Sequence, residues 1–196
     1  MSANIRHCIA DKNSTKGDTM TNILHSSESN EWYTPKRYVD AAREVMGGRE
    51  LDPASCAEAN EIVKAKYYFT SESDGLSRPW NAESVWLNPP YGRTGGRSNQ
   101  DIWSEKLIDE YEKGHVKEAV LLVNAVPDRK WFQRLWEYPI CFTDHRIKFI
   151  SPDNSKANAP THGSAFVYFG PMSYWEAFEN EFEPIGHIVW PNEACG

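Results

Sequence analysis

Four consecutive residues, Asn88-Pro89-Pro90-Tyr91, follow directly on the apolar run Ser84-Val85-Trp86-Leu87. The two prolines fix φ at roughly −65° and remove two N–H donors. The carbonyls of Asn88 and Pro89 and the Asn88 amide are thereby left facing outward as acceptors, and an amino group can dock on them. Adenine N6 is a poor nucleophile because its lone pair is delocalised into the ring. Two acceptors gripping its hydrogens would draw the nitrogen toward tetrahedral geometry and localise that pair, while Tyr91 stacks on the extruded base. The chemistry to expect is methylation of an exocyclic nitrogen. A plainer reading also fits these residues, a turn that ends a strand, since Pro cannot continue a ladder and Asn favours turns.

The elements around this loop decide between the two. Thr34-Pro35 reads as a helix start, Thr as N-cap and Pro at the first helical position, with Tyr38, Val39, Ala41, Ala42, Val45 and Met46 periodic behind it and Gly47-Gly48 closing it. Glu50-Leu51-Asp52-Pro53 reads as a short strand, and residues 54–64 as a short helix or turn region. Residues 84–87 form a strand, and 102–113 a helix on the spacing of Ile102, Trp103, Leu107, Ile108 and Tyr111, stopped by Gly114. The continuous run Ala119-Val120-Leu121-Leu122-Val123 is the kind buried on both faces of a parallel sheet. A helix over 129–137 and strands at 140–142, 146–150 and 165–169 complete the pattern. Strands alternating with helices, then closing strands without a helix between them, predict an α/β fold: a three-layer, Rossmann-like sheet, mostly parallel with an antiparallel end.

With 196 residues, 40% hydrophobic and 25% charged, the chain has the makings of one globular domain. Its mean hydropathy of −0.65 and the lack of a long apolar run or secretory leader predict a cytoplasmic protein outside the membrane. Cys8, Cys56, Cys141 and Cys195 show no metal-ligand spacing and read as reduced thiols, so no metal is expected. The net charge of −7 is unevenly spread: residues 1–29 balance three basic against three acidic side chains, whereas 171–196 hold five Glu and no Lys or Arg. The middle is nearly neutral, which leaves room for a basic face from Arg93 and Arg97 in a Gly-rich loop and from Arg129, Lys130, Arg134, Arg146 and Lys148. Residues 1–29, polar and without apolar periodicity, read as a mobile arm; 30–170 as the catalytic domain; and 171–196 as an acidic extension packed on it, with the aromatic stretch 174–190 either a helix plus an edge strand or a contact surface.

In an open α/β sheet, ligands bind beyond the carboxyl ends of the strands, where Asp52-Pro53-Ala54-Ser55 and Asn88-Pro89-Pro90-Tyr91 both fall. No GxGxxG is present, and Gly47-Gly48 precedes its strand rather than following it, which disfavours a dinucleotide. A cofactor without phosphates suits such a loop, and S-adenosylmethionine fits, with Asp52 available to its ammonium. No Pro-Cys dipeptide occurs, which argues against cytosine C5 chemistry by a covalent nucleophile.

These residues resemble a known family, the small phage and prophage DNA N6-adenine methyltransferases of the Dam type. The resemblance covers residues 31–170. It is carried by Glu31-Trp32-Tyr33-Thr34-Pro35, Leu51-Asp52-Pro53-Ala54-Ser55, Asp74-Gly75-Leu76-Ser77 with Trp80, Trp86-Leu87-Asn88-Pro89-Pro90-Tyr91, Leu121-Leu122-Val123-Asn124 with Trp131-Phe132, and Ala165-Phe166-Val167-Tyr168-Phe169-Gly170. It implies a site-specific transfer of methyl from S-adenosylmethionine to adenine N6 of double-stranded DNA. Asn88, Pro89, Pro90 and Tyr91 would be catalytic, and Tyr33, Thr34 and Pro35 would lie near the methionine part of the cofactor. Asp52, Pro53, Ala54 and Ser55 would form its first loop, and Asp74 would accept from the cofactor adenine or ribose.

Asp74 follows Asp52 by 22 positions, a shorter interval than larger methyltransferases have, so Glu58, Asn60 and Glu72 are candidates for a further contact. Phe149 is a candidate to face Tyr91 across the flipped base, although an aromatic in a strand is also ordinary core. No separate recognition domain is visible. Loops 92–101, with Arg93 and Arg97, and 153–162 are the segments to read DNA. Cytosine N4, an RNA base or a protein glutamine remain alternative acceptors, and a catalytically silent DNA-binding module a third possibility.

Overall fold

The computed structural model describes residues 32–151 and 161–191. The arm expected over 1–29, together with Cys8 and Cys195, lies outside them, as does most of loop 153–162. In chain order the elements are α1 (Lys36–Met46), β1 (Leu51–Asp52), α2 (Ala57–Val63), β2 (Tyr67–Tyr68), β3 (Ala82–Leu87), β4 (Arg93–Thr94), β5 (Arg97–Ser98), α3 (Asn99–Glu112), β6 (Val116–Asn124), α4 (Lys130–Gln133), β7 (Ile140–Thr143), β8 (Ser164–Phe169), α5 (Trp175–Phe182) and β9 (Gly186–Val189). Short 3-10 turns at Arg134–Glu137 and Met172–Tyr174 continue α4 and precede α5.

Seven strands form one sheet in the order β2-β1-β3-β6-β8-β7-β9. The pairings from β2 through β6 are parallel, and those of β8 with β6, of β7 with β8 and of β9 with β7 are antiparallel. Only β8 and β9 therefore run against the others. The expected antiparallel end exists and is larger than a single closing pair.

Side chains alternate across the sheet with a period of two, and the two faces fill separate cores. Trp86, Val120, Leu122, Phe166 and Tyr168 join α1 and α5 through Tyr38, Val39, Ala42, Phe178 and Phe182. Their neighbours Val85, Leu87, Ala119, Leu121, Val123, Val167 and Phe169 join α3 and α4 through Trp103, Leu107, Ile108 and Phe132. The run 119–123 is apolar throughout because β6 lies mid-sheet with a helical layer on each side.

Two local expectations are corrected. Thr34 does not cap α1: the helix begins after Pro35 with no side-chain cap bond, and Thr34 Oγ1 instead accepts from the Asn88 amide. Residues 146–150 do not form a sheet strand, because both edges of β7 are already taken by β8 and β9; Ile150 bridges Tyr33 instead, by two N–H···O bonds of 2.9 Å. The short helix or turn region read over 54–64 is borne out by α2, which starts at Ala57, where Cys56 Sγ accepts from the Ala59 N–H. Two elements went unanticipated, the edge strand β2 and the small hairpin β4–β5. The sheet also runs past residue 170. Without β9, the outer edge of β7 would present unpaired backbone groups.

No helix among the described residues is long and apolar enough to cross a membrane. Cys56 and Cys141 are free thiols.

Candidate active site

Because β1 and β3 are parallel neighbours, paired Leu51 to Val85, the loops leaving their carboxyl ends emerge side by side. Between them opens a cleft that is continuous with solvent at its mouth. It is lined by residues 32–34 on one side, 52–56 with Thr70, Ser71, Asp74 and Gly75 on another, and 88–91 on the third, with Trp86 and Trp103 as apolar walls.

The β1 loop holds itself in place. Asp52 is 3% exposed, and its Oδ1 accepts from the Ala54 N–H at 3.2 Å. Burial pushes its carboxyl up to about 7, against the opposing pull of the Ala54 N–H and the Ser55 hydroxyl. Beside it the main chain of Phe69 accepts from Ser55 and donates to Asp52 (2.9 and 3.0 Å), which brings Thr70 and Ser71 into the cleft wall. The next turn packs against the same loop. Gly75 lies so close that a Cβ there would stand 2.0 Å from the Pro53 carbonyl oxygen, so only glycine allows this approach. The Trp80 indole N–H donates to the Gly75 carbonyl at 2.7 Å, and Trp80 stacks on Trp103. Asp74, with φ of 49°, accepts from the Leu76 N–H through Oδ1 and faces the cleft.

The β3 loop is held from elsewhere in the chain. Asn88 Nδ2 donates to the Trp32 carbonyl and to Thr34 Oγ1, both at 3.2 Å, so both amide hydrogens are used and Oδ1 is the group presented to a ligand. Thr34 is buried, which keeps water out of this contact. Tyr91, its hydroxyl pushed up to about 12 by burial, is neutral at any physiological pH. Its carbonyl accepts from Asn99 Nδ2 at 3.2 Å, which ties the end of the loop to the start of α3. Beyond it, β4 and β5 join through Gly95 and Gly96, at φ of 57° and 81°, the pair of left-handed residues that a tight two-residue hairpin demands.

Of the residues singled out from the sequence, Tyr33, Thr34, Asp52, Pro53, Ala54, Ser55, Asp74, Asn88, Pro89, Pro90 and Tyr91 line one cleft. Pro35 sits at the start of α1 outside it. Arg93 and Arg97 are on the exposed hairpin; Arg93 donates to the Gly96 carbonyl, and Arg97 is held by Asp101 (2.8 and 3.0 Å) and Glu105 (2.8 Å). Phe149 is 2% exposed and meets the Tyr91 ring edge-on at 6.1 Å, so it backs Tyr91 rather than facing it across a slot.

Glu58, Asn60 and Glu72 do not line the cleft, and Asn60 is spent on both main-chain groups of Ala65. In their place stand Thr70 and Ser71, which follow β2. Recognising Tyr67-Tyr68 as a strand would have pointed to them. Trp86 and Trp103 gave only a core signal. No group of three or more metal-ligating side chains occurs among the described residues.

A mixed α/β sheet with a cleft beyond the carboxyl ends of its parallel strands is the arrangement in which open α/β folds bind small molecules. The chain belongs to the DNA N-6-adenine-methyltransferase (Dam) family, whose model matches residues 20–184. It is 30% identical over 176 residues to the DNA N-6-adenine-methyltransferase of Escherichia phage T1, covering 80% of this chain and 69% of that one. To the protein of the same name from Haemophilus phage HP1 (strain HP1c1) it is 24% identical over 160 residues, covering 80% and 87%.

Proposed function

We infer that the chain is a DNA (adenine-N6)-methyltransferase and that S-adenosylmethionine is its methyl donor. Family membership carries the reaction class. The observation that carries the site is the pinned Asn88 amide, whose oxygen is free only because its two hydrogens are held by Trp32 and Thr34.

The residues of the cleft fit the donor. A buried carboxyl at about 7 lacks a cation, and an ammonium beside Asp52 would hold it ionised. Trp86 and Trp103 offer apolar faces to a purine or an alkyl chain, and Thr70, Ser71 and Asp74 offer hydroxyl and carboxylate partners to a ribose or a base edge. S-adenosylmethionine supplies a methyl group bonded to a positively charged sulfur.

The chain's own residues then act by position and electrostatics. Asn88 Oδ1 and the Pro89 carbonyl accept the two hydrogens of adenine N6 and localise its lone pair toward the cleft. Neutral Tyr91 stacks on the extruded base, its ring braced by Phe149. Buried Pro89 and the apolar walls limit the water around the acceptor. No nucleophilic side chain is required, and the proton released from N6 passes to solvent.

The test is sequencing with adenine-modification detection on DNA from cells expressing the protein against a methyltransferase-free control. New N6-methyladenine at a short motif is expected. Unmodified DNA, with the folded protein shown to bind S-adenosylmethionine, overturns the assignment and turns attention to labelled methyl transfer into RNA and protein.

A further inference from the structure

β7 points the same way as β1, β3 and β6, so the chain leaving its carboxyl end emerges on the rim that carries Asn88 and Tyr91. Residues 144–150 then cross to the cleft wall. Burial alternates along them: Ile147 and Phe149 are buried, whereas Arg146 and Lys148 are exposed. The buried pair anchors the segment, and both cations are left on its outer side. One end is joined to the site by Phe149 against Tyr91 and by the Ile150–Tyr33 bridge. The other is joined to α1, where His145 Nε2 lies 2.6 Å from the Tyr38 hydroxyl and 2.7 Å from Arg37 Nη2.

On the β4–β5 hairpin Arg93 donates to the Gly96 carbonyl and, among the described residues, has no carboxylate partner, so the contrast with the strap lies in Arg97. Arg97 is held by two carboxylates, and Arg134 lies 3.8 Å from one of them, Glu105. A phosphate approaching Arg97 therefore meets Asp101 and Glu105 as well. Among the described residues no carboxylate stands within ion-pair distance of Arg37, Arg146 or Lys148. The strap's own acid, Asp144, is engaged by His145. In a chain of net charge −7, three cations without carboxylate partners beside the cleft make a local site for anions.

We propose that residues 145–150, with Arg146 and Lys148 outward and Arg37 beside them, form the surface that grips the phosphate backbone of double-stranded DNA next to the catalytic loop. This rests on the reading of the chain as a DNA methyltransferase. The contact is sequence-independent: it fixes the register of the duplex against Tyr91 and leaves base reading to other loops.

The test is the salt dependence of DNA binding by the full chain, with a duplex of mixed sequence as probe. Each phosphate neutralised contributes about 0.9 to the slope of log association constant against log salt. The R146Q/K148Q variant is expected to bind more weakly with a slope shallower by about 2, and each single substitution by about 1. Arg97→Gln should leave the slope where it was. Unchanged slopes in the strap variants, or a loss confined to Arg97→Gln, overturn the proposal.

Both strap side chains are exposed, so the melting temperature should stay within about 2 °C of the parent; should the double variant fail to fold, the single variants decide. Methyl transfer by the parental protein is read separately. DNA methylation with unchanged slopes overturns the surface alone, whereas a folded parent that leaves DNA unmethylated overturns the reading beneath it.

Discussion

The two loops that make the cleft sit at the ends of neighbouring parallel strands, yet they are built differently. The loop after β1 is stabilised mostly by its close neighbours in sequence: Asp52 by Ala54 and Ser55, and the whole turn by Phe69 and Gly75. The loop after β3 depends on a segment more than fifty residues earlier, because Trp32 and Thr34 orient Asn88. The first holds a buried carboxyl that burial raises to about 7. The second is a rigid, neutral acceptor whose geometry is set at a distance. Under the proposed function, the first would adjust around its ligand, whereas the second would have to be aimed before the base arrives.

The largest effect should come from the acceptor itself. Asn88→Ala is expected to lower kcat by at least about a hundredfold while S-adenosylmethionine still binds, as calorimetry would show; near-parental turnover would remove Asn88 from the mechanism.

Next comes the buried charge. Asp52 rises from its ordinary 3.8 to about 7 in the fold. Between those values the folded protein holds a proton that the unfolded chain has released, so stability falls as pH rises through that window and levels off above it. Asp52→Asn should flatten that slope and raise the ligand-free stability at pH 8 by about 2–4 kcal/mol. The same substitution should weaken binding of the donor and abolish its tightening as pH rises through about 7. Denaturant melts and titrations across pH check both, and a variant with the parental pH slope would place the charge elsewhere.

Gly75→Ala strikes the contact between the two halves of the donor loop. Forcing a methyl against the Pro53 carbonyl should cost about 1–3 kcal/mol of stability, with donor affinity falling alongside. A neutral result would mean that the 74–77 turn is free to move away.

The smallest effect sharpens the comparison most. Thr34→Val keeps the shape and removes one hydrogen bond, a loss of about 1 kcal/mol, so kcat should drop roughly fivefold with little change in KM, and Thr34→Ser should restore it. Equal losses in KM would show that Thr34 acts on the donor, as the sequence first indicated.

Much of this was legible in the sequence because it is local. The apolar run 119–123 marks a mid-sheet strand, the Asn-Pro-Pro-Tyr loop announces its own rigidity, and Asp52-Pro53 marks a strand end. The errors have a common cause. Thr34 has the residue type of a cap, but its hydroxyl faces a distant amide, and nothing local distinguishes the two. Residues 146–150 have strand-like alternation, yet β8 and β9 occupy the edges of β7 first. Tyr67-Tyr68 is two residues long with both side chains exposed, so it carries no burial pattern to read. Phe149 was placed beside the correct partner but edge-on, an orientation that packing alone sets.

The sequence by itself determined the α/β class of the fold and the two strand-end loops, since these follow from dihedral restriction and periodicity along short stretches. Tertiary structure alone decided which hydroxyl orients Asn88, that Gly75 must approach Pro53, that Thr70 and Ser71 complete the wall, and which arginines keep their charge free. Those outcomes depend on which distant groups meet when strands β1, β3, β6 and β7 align, and burial and pairing are properties of that meeting rather than of any one segment.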